Sequence, residues 1–94
     1  MPIRESIGFE VSISSRNDGT VEAVYVTFLP DDVAVTKEIV EDELFVDYNS
    51  KNQIVGIEIL APVKISALRP YVEPSKQETV LSRITKSAPD FIYN

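Results

Sequence analysis

Apolar and polar positions alternate through the first two-thirds of the chain, and the period changes in the last third. Ile7, Phe9, Val11 and Ile13 alternate with Gly8, Glu10, Ser12 and Ser14. This two-residue rhythm predicts a half-buried strand. Arg16–Gly19 follows as a turn, its Asn, Asp and Gly tolerating positive φ. Thr20–Leu29 (TVEAVYVTFL) is rich in β-branched and aromatic residues and apolar on both faces for much of its length, as a central strand is. Pro30–Asp32 predicts a second turn. Val33–Val40 is a third strand of mixed faces, and Glu41–Glu43 marks the next reversal. LFVDY (Leu44–Tyr48) and QIVGIEIL (Gln53–Leu60) form a last hairpin around Asn49–Asn52.

After Leu60 the pattern becomes helical. APVKISALRPYVEP holds three of the six prolines, so any helix there is about one turn long. In PSKQETVLSRITKSAP, Ser75 and Glu78 match the S-x-x-E capping box. Val80, Leu81, Ile84 and Ala88 share one face at helical spacing. Arg83 and Lys86 sit where the helix dipole favours cations, and Pro89 stops the helix. The tail DFIYN is too apolar to be left free and is expected to pack.

These elements predict one α+β domain over residues 1–94. Residues 1–60 form an antiparallel β-meander of about five strands, because short turns favour neighbours in sequence. Residues 61–73 form an irregular, proline-containing connection. Residues 74–94 form a C-terminal helix and tail, with the helix packed on one face of the sheet.

The last hairpin raises a sharper question, since its apolar strand carries Gly56 and Glu58. If Tyr48 pairs with Gln53, then Val46 faces Val55 and Leu44 faces Ile57 on a core side. Phe45, Asp47, Ile54, Gly56 and Glu58 lie on the other side. Gly56 is then expected to accommodate the Phe45 ring over bare backbone. The same register sets Glu43 opposite Glu58, a repulsive pair. That points to a register one residue away or to a nearby cation. Asp47 and Glu58 fall on the order of 13 Å apart, beyond the spacing of a carboxylate dyad.

At 94 residues and 44% apolar content, the chain has the composition of a folded domain rather than a disordered one. Absence of Cys and His removes thiolate chemistry, the usual neutral-pH base and the commonest metal ligand. The start MPIRESIGFE has no apolar run of signal-peptide length, and no stretch reaches membrane-spanning length. A cytoplasmic protein with no membrane association is the expectation.

Net charge is −6, unevenly spread. Residues 31–47 hold seven acids and one base, Lys37, while residues 48–94 are net positive. Such an acidic segment disfavours direct nucleic-acid binding, which needs cations on the protein. It favours a basic protein partner. Asp31, Asp32 and Glu38 are candidate oxygen ligands for a metal, but acid pairs at turns are ordinary turn residues. Tyr25, Tyr48, Tyr71 and Tyr93 lack the basic interleaving of a base-stacking surface.

The runs VEAVYVTF, VTKEIV and FVDYNSKNQIVGIEIL resemble a small prokaryotic family, domain of unknown function 2283. The resemblance covers residues 13–60 and is most specific at Val46–Asn49 and Ile54–Leu60. Glu22 and Asn49 stand where an aspartate and an acid are usual, and Lys51–Asn52 replaces an acid–glycine turn. Some family members sit beside genes for toxin-like proteins with an RNase-like fold, so the resemblance implies, by analogy, an antitoxin-like role.

The expected function is a small non-enzymatic binding and assembly module that requires no cofactor. It is expected to self-associate and to present its acidic 31–47 edge to a basic partner. The candidate interaction surface is Phe45, Asp47, Ile54, Glu58, Glu41 and Asp42, with no catalytic or metal residues assigned. The alternative is a small carboxylate enzyme or acid-ligand metal site using Asp47, Glu58 and Glu22.

Overall fold

The computed structural model describes residues 8–94; Ile7 of the first expected strand lies outside them. Five strands form one antiparallel sheet: β1 (Glu10–Ser15), β2 (Val21–Thr27), β3 (Val35–Val40), β4 (Leu44–Tyr48) and β5 (Ile54–Ile59). The chain continues through the short strand β6 (Val63–Lys64), a single helical turn α1 (Ile65–Leu68) and 3-10 turns at Arg69–Tyr71 and Pro74–Lys76. The main helix α2 (Gln77–Ser87) follows, then a 3-10 turn at Pro89–Phe91 and β7 (Ile92–Tyr93). The α+β class, the five antiparallel strands and the C-terminal helix are as the sequence predicts.

The strand order is not that of a sequential meander. It runs β1-β2-β5-β4-β3. The β1–β2 hairpin joins a β3–β4–β5 meander through the β2–β5 pair, and residues 28–34 carry the chain to the far edge. Central strands are buried most completely, and β2, β5 and β4 are the most apolar strands. A sequential order would have placed Lys37 and Glu38 of β3 in the middle of the sheet. The observed order leaves β3 and the serine-rich β1 at the edges, where polar residues remain hydrated.

One face of the sheet carries the core. Val24, Val26, Leu44, Val46, Ile57 and Ile59 are essentially inaccessible there. They belong to one apolar cluster with Val80, Leu81, Ile84 and Ala88 of the helical segment and with Leu68 and Val72 of the connection. The tail is part of this packing. Phe91 and Ile92 are buried, and β7 pairs in parallel with β6, Val63 opposite Ile92.

The capping box does not form. Ser75 lies within the 3-10 turn, and α2 begins at Gln77 with no side-chain cap. Gln77 anchors the helix start differently. Its Nε2 donates to the carbonyls of Arg69 and Val72 at 3.0 and 3.1 Å, and its Oε1 accepts from Arg69 Nη1 at 3.0 Å. These bonds tie α2 to the preceding connection.

The last hairpin also differs from the expected register. Phe45 pairs with Glu58, Val46 with Ile57 and Asp47 with Gly56. Asn49 N–H donates to the Gln53 carbonyl at 2.9 Å, which moves the turn by one residue. A bulge between Asp47 and Tyr48, where Tyr48 meets Ile54, adds a second residue of shift. The two shifts preserve side-chain parity, so Leu44, Val46 and Ile57 stay on the core face. Glu43 does not oppose Glu58, and no like-charge pair arises between them.

Candidate functional site

The face away from the helix is organised around Asp47. Register places Thr27, Gly56, Asp47 and Thr36 in one row across β2, β5, β4 and β3. Ser12, Tyr25, Glu58, Phe45 and Glu38 form the adjacent row. Asp47 Oδ2 accepts a hydrogen bond from Tyr25 Oη at 2.7 Å, and Oδ1 accepts one from Thr36 Oγ1 at 2.5 Å. Tyr25 stands on β2 and Asp47 on β4, so the phenol must cross β5 to reach the carboxylate.

Gly56 makes that crossing possible. A Cβ added there would lie 2.6 Å from Tyr25 Cζ and 2.7 Å from Cε2, well inside van der Waals contact. The glycine thus accommodates Tyr25, not the expected Phe45, which pairs one row away with Glu58. The physical reason is the one expected, an aromatic ring over bare backbone. The ring differs because β2, not the hairpin's own partner strand, supplies it.

The environment keeps Tyr25 protonated. Burial raises the pKa of its phenol most, followed by the hydrogen bond to Asp47 and the negative charges of Asp47 and Glu58. Each disfavours a phenolate. Both Asp47 oxygens already accept hydroxyl donors, so the group is a neutral donor strapped to an occupied acceptor. This geometry ties β2, β4 and β3 together across β5.

The expected surface residues separate into three places. Phe45, Asp47 and Glu58 do share the face away from the helix, all half-buried. Asp47 and Glu58 are diagonal neighbours, a separation of about 7–8 Å or less rather than on the order of 13 Å. Ile54 does not join them. The bulge turns it to the helix side, where it packs against the apolar cluster and lines a groove of about 460 Å³ with Phe28, Leu29, Tyr71 and Val72. Glu41 and Asp42 lie exposed in the β3–β4 turn, where Asp42 adopts φ 62° and its N–H donates to Glu38 Oε2 at 2.7 Å. Glu22 lies three residues before Tyr25, at the irregularity in the β1–β2 register, and is exposed.

The acids singled out as metal ligands do not meet. Asp31 accepts from its neighbour's backbone, Asp32 N–H, at 2.8 Å and from Asn49 Nδ2 at 3.0 Å. These two bonds, in that order, hold its carboxyl below the usual range. Glu38 is committed to Asp42 at the other end of β3. Among the described residues, no three acids converge on one point.

Asn49 is a residue whose role the sequence conceals. It is buried, and all its polar atoms are satisfied. Its Nδ2 donates to Asp31 and to Gln53 Oε1, the latter at 2.9 Å, while its Oδ1 accepts the N–H groups of Lys51 and Gln53, both at 2.9 Å. It therefore builds its own hairpin turn and pins the residue 28–34 crossover to it. Asn52 supplies the positive φ, 63°, at the position where the family pattern has glycine.

A family model described as "Protein of unknown function (DUF2283)" matches residues 18–61. The resemblance carried by VEAVYVTF and VDYNSKNQIVGIEIL thus holds over this stretch, which is similar to the DUF2283 family. The stretch contains Tyr25, Thr36, Asp47, Asn49, Gly56 and Glu58, whereas α2 and the β6–β7 pair lie outside it. No curated protein and no solved structure matches the chain.

Proposed function

We propose that this chain is a non-enzymatic binding and assembly module that engages a basic protein partner through its acidic 31–47 edge. One observation supports the reading above others: the acids of that segment are divided between internal work and open solvent. Asp47 is enclosed by Tyr25 and Thr36. Asp32, Glu41 and Asp42 stand exposed at the two ends of edge strand β3. Lys37, the segment's one base, lies over the Tyr48 ring at 5.0 Å. An antitoxin-like role, in which the edge meets a basic cleft, fits this charge distribution and gains association rate from steering.

A variant pair tests the reading. Native mass measurement after affinity capture, at low and high salt, is expected to find a basic partner that salt releases. E41Q/D42N/E43Q is expected to lose that partner. E22Q/E73Q/D90N, with the same charge change elsewhere, is expected to keep it. Equal retention by both variants, or a salt-insensitive partner, counts against the proposal.

A further inference from the structure

We infer that β3 is a strand-addition site, on which a cationic extended peptide segment pairs with the open sheet edge while its Lys or Arg side chains meet the acids bracketing the strand. This rests on the acidic-edge reading above and specifies how the partner is held.

The first support is the edge itself. Among the described residues, β3 ends the sheet and has one strand neighbour, β4. An edge strand presents a row of backbone donors and acceptors to which an incoming strand adds. Val35 to Glu38 are exposed, and Val33 and Val35 retain 47% and 50% of their accessible surface. Two solvent-facing valines beside an open backbone edge are what an added strand covers. The other edge is less receptive. β1 carries Ser12, Ser14 and Ser15 and lies against α2. Both edge pairs contain a register irregularity, and that of β3 falls near its end, between Glu38 and Val40, leaving Val35–Glu38 regular. Edges are commonly blunted by a projecting lysine, but Lys37 is drawn back over Tyr48 on β4.

Charge then selects the occupant. Asp31 and Asp32 stand before β3, and Glu41, Asp42 and Glu43 stand after it. A second copy pairing antiparallel would set the first group of one chain beside the second group of the other, acid against acid at both ends. A segment with cations near its ends meets opposite charge at both.

The test uses the whole chain and two synthetic probes. One is an alternating Lys/Val peptide of about ten residues, long enough to span a six-residue strand. The other is the same peptide with alternate backbone nitrogens methylated, which keeps every charge but removes the pairing donors. Peptide binding is read by fluorescence anisotropy, and amide exchange by NMR across β1 and β3. The unmethylated peptide is expected to bind, to slow exchange within Val35–Val40, and to bind at least about tenfold tighter than the methylated one. Equal binding of both peptides without slowed β3 exchange overturns strand addition and leaves the acidic-edge reading standing. Protection arising at β1 instead also overturns it. Binding of neither peptide overturns both.

Discussion

Tyr25 reaches Asp47 across an intervening strand because Gly56, which pairs with Asp47, has no side chain to block the ring. Three strands thereby specify one hydrogen bond. The face away from the helix is held by polar contacts of this kind, while the opposite face is held by apolar burial.

Gly56→Ala displaces the Tyr25 ring and breaks its bond to Asp47. Loss of about 1–3 kcal/mol is expected in urea denaturation. Tyr25→Phe alone is expected to cost about 1–2 kcal/mol. In the Gly56→Ala background the same tyrosine substitution should cost much less, because the bond is already lost. Full additivity of the two changes would contradict the strap.

The raised phenol pKa of Tyr25 has a signed consequence for stability. An unfolded tyrosine titrates near its ordinary value of 10.0. Below that pH both states keep the proton and the contribution is fully present. Above it the unfolded chain releases a proton that the folded chain retains, so stability falls as pH rises. An ultraviolet titration should show one of the four tyrosines resisting ionisation until the protein unfolds. Tyr25→Phe should remove that resistant phase.

The acid limb has the opposite sign. Asp18 accepts from Thr20 N–H and Oγ1 at 3.0 and 2.7 Å, the backbone bond contributing most, and its carboxyl is lowered from 3.8, as is that of Asp31. Their contributions are present above pH about 4 and lost as pH falls through the folded values. Asp18→Asn should flatten the acid arm of a stability–pH curve measured by thermal melting.

Asn49→Asp replaces two buried donors with a charge facing Asp31. Destabilisation of about 2–3 kcal/mol at neutral pH is expected. Acidification below the carboxylate range should recover part of it, because the introduced carboxyl, once protonated, regains a donor. Denaturant midpoints at the two pH values check this.

Burial separates two aliphatic positions of the same sheet. Leu44 is fully buried and Val35 half-exposed. Leu44→Ala should cost about 2–5 kcal/mol, whereas Val35→Thr should stay within about 0.5 kcal/mol. Val35→Thr therefore also serves to probe β3 without unfolding the chain.

Much of the architecture was legible in local pattern. Two-residue alternation located β1 to β5, and 3.6-residue spacing found the buried stripe of α2, because both periods follow from backbone geometry alone. In the proline-containing connection the α-helix is a single turn, Ile65–Leu68, that runs directly into a 3-10 turn at Arg69–Tyr71. The capping box failed because Ser75 was consumed by a 3-10 turn and Gln77 found carbonyl partners in the connection. The hairpin register failed because a bulge is set by the turn's hydrogen bonds, not by the apolar pattern, which survives a two-residue shift unchanged.

Taken alone, the chain's residues determined which side of each strand is apolar, where the helix lies, and that the acids concentrate between positions 31 and 47. Only the tertiary structure decided that β2 lies beside β5, since strand order is settled by which strands gain most from two neighbours and a covered face. From that one adjacency come the Tyr25–Asp47 bond, the use of Gly56, and the exposure of β3 at the edge of the sheet.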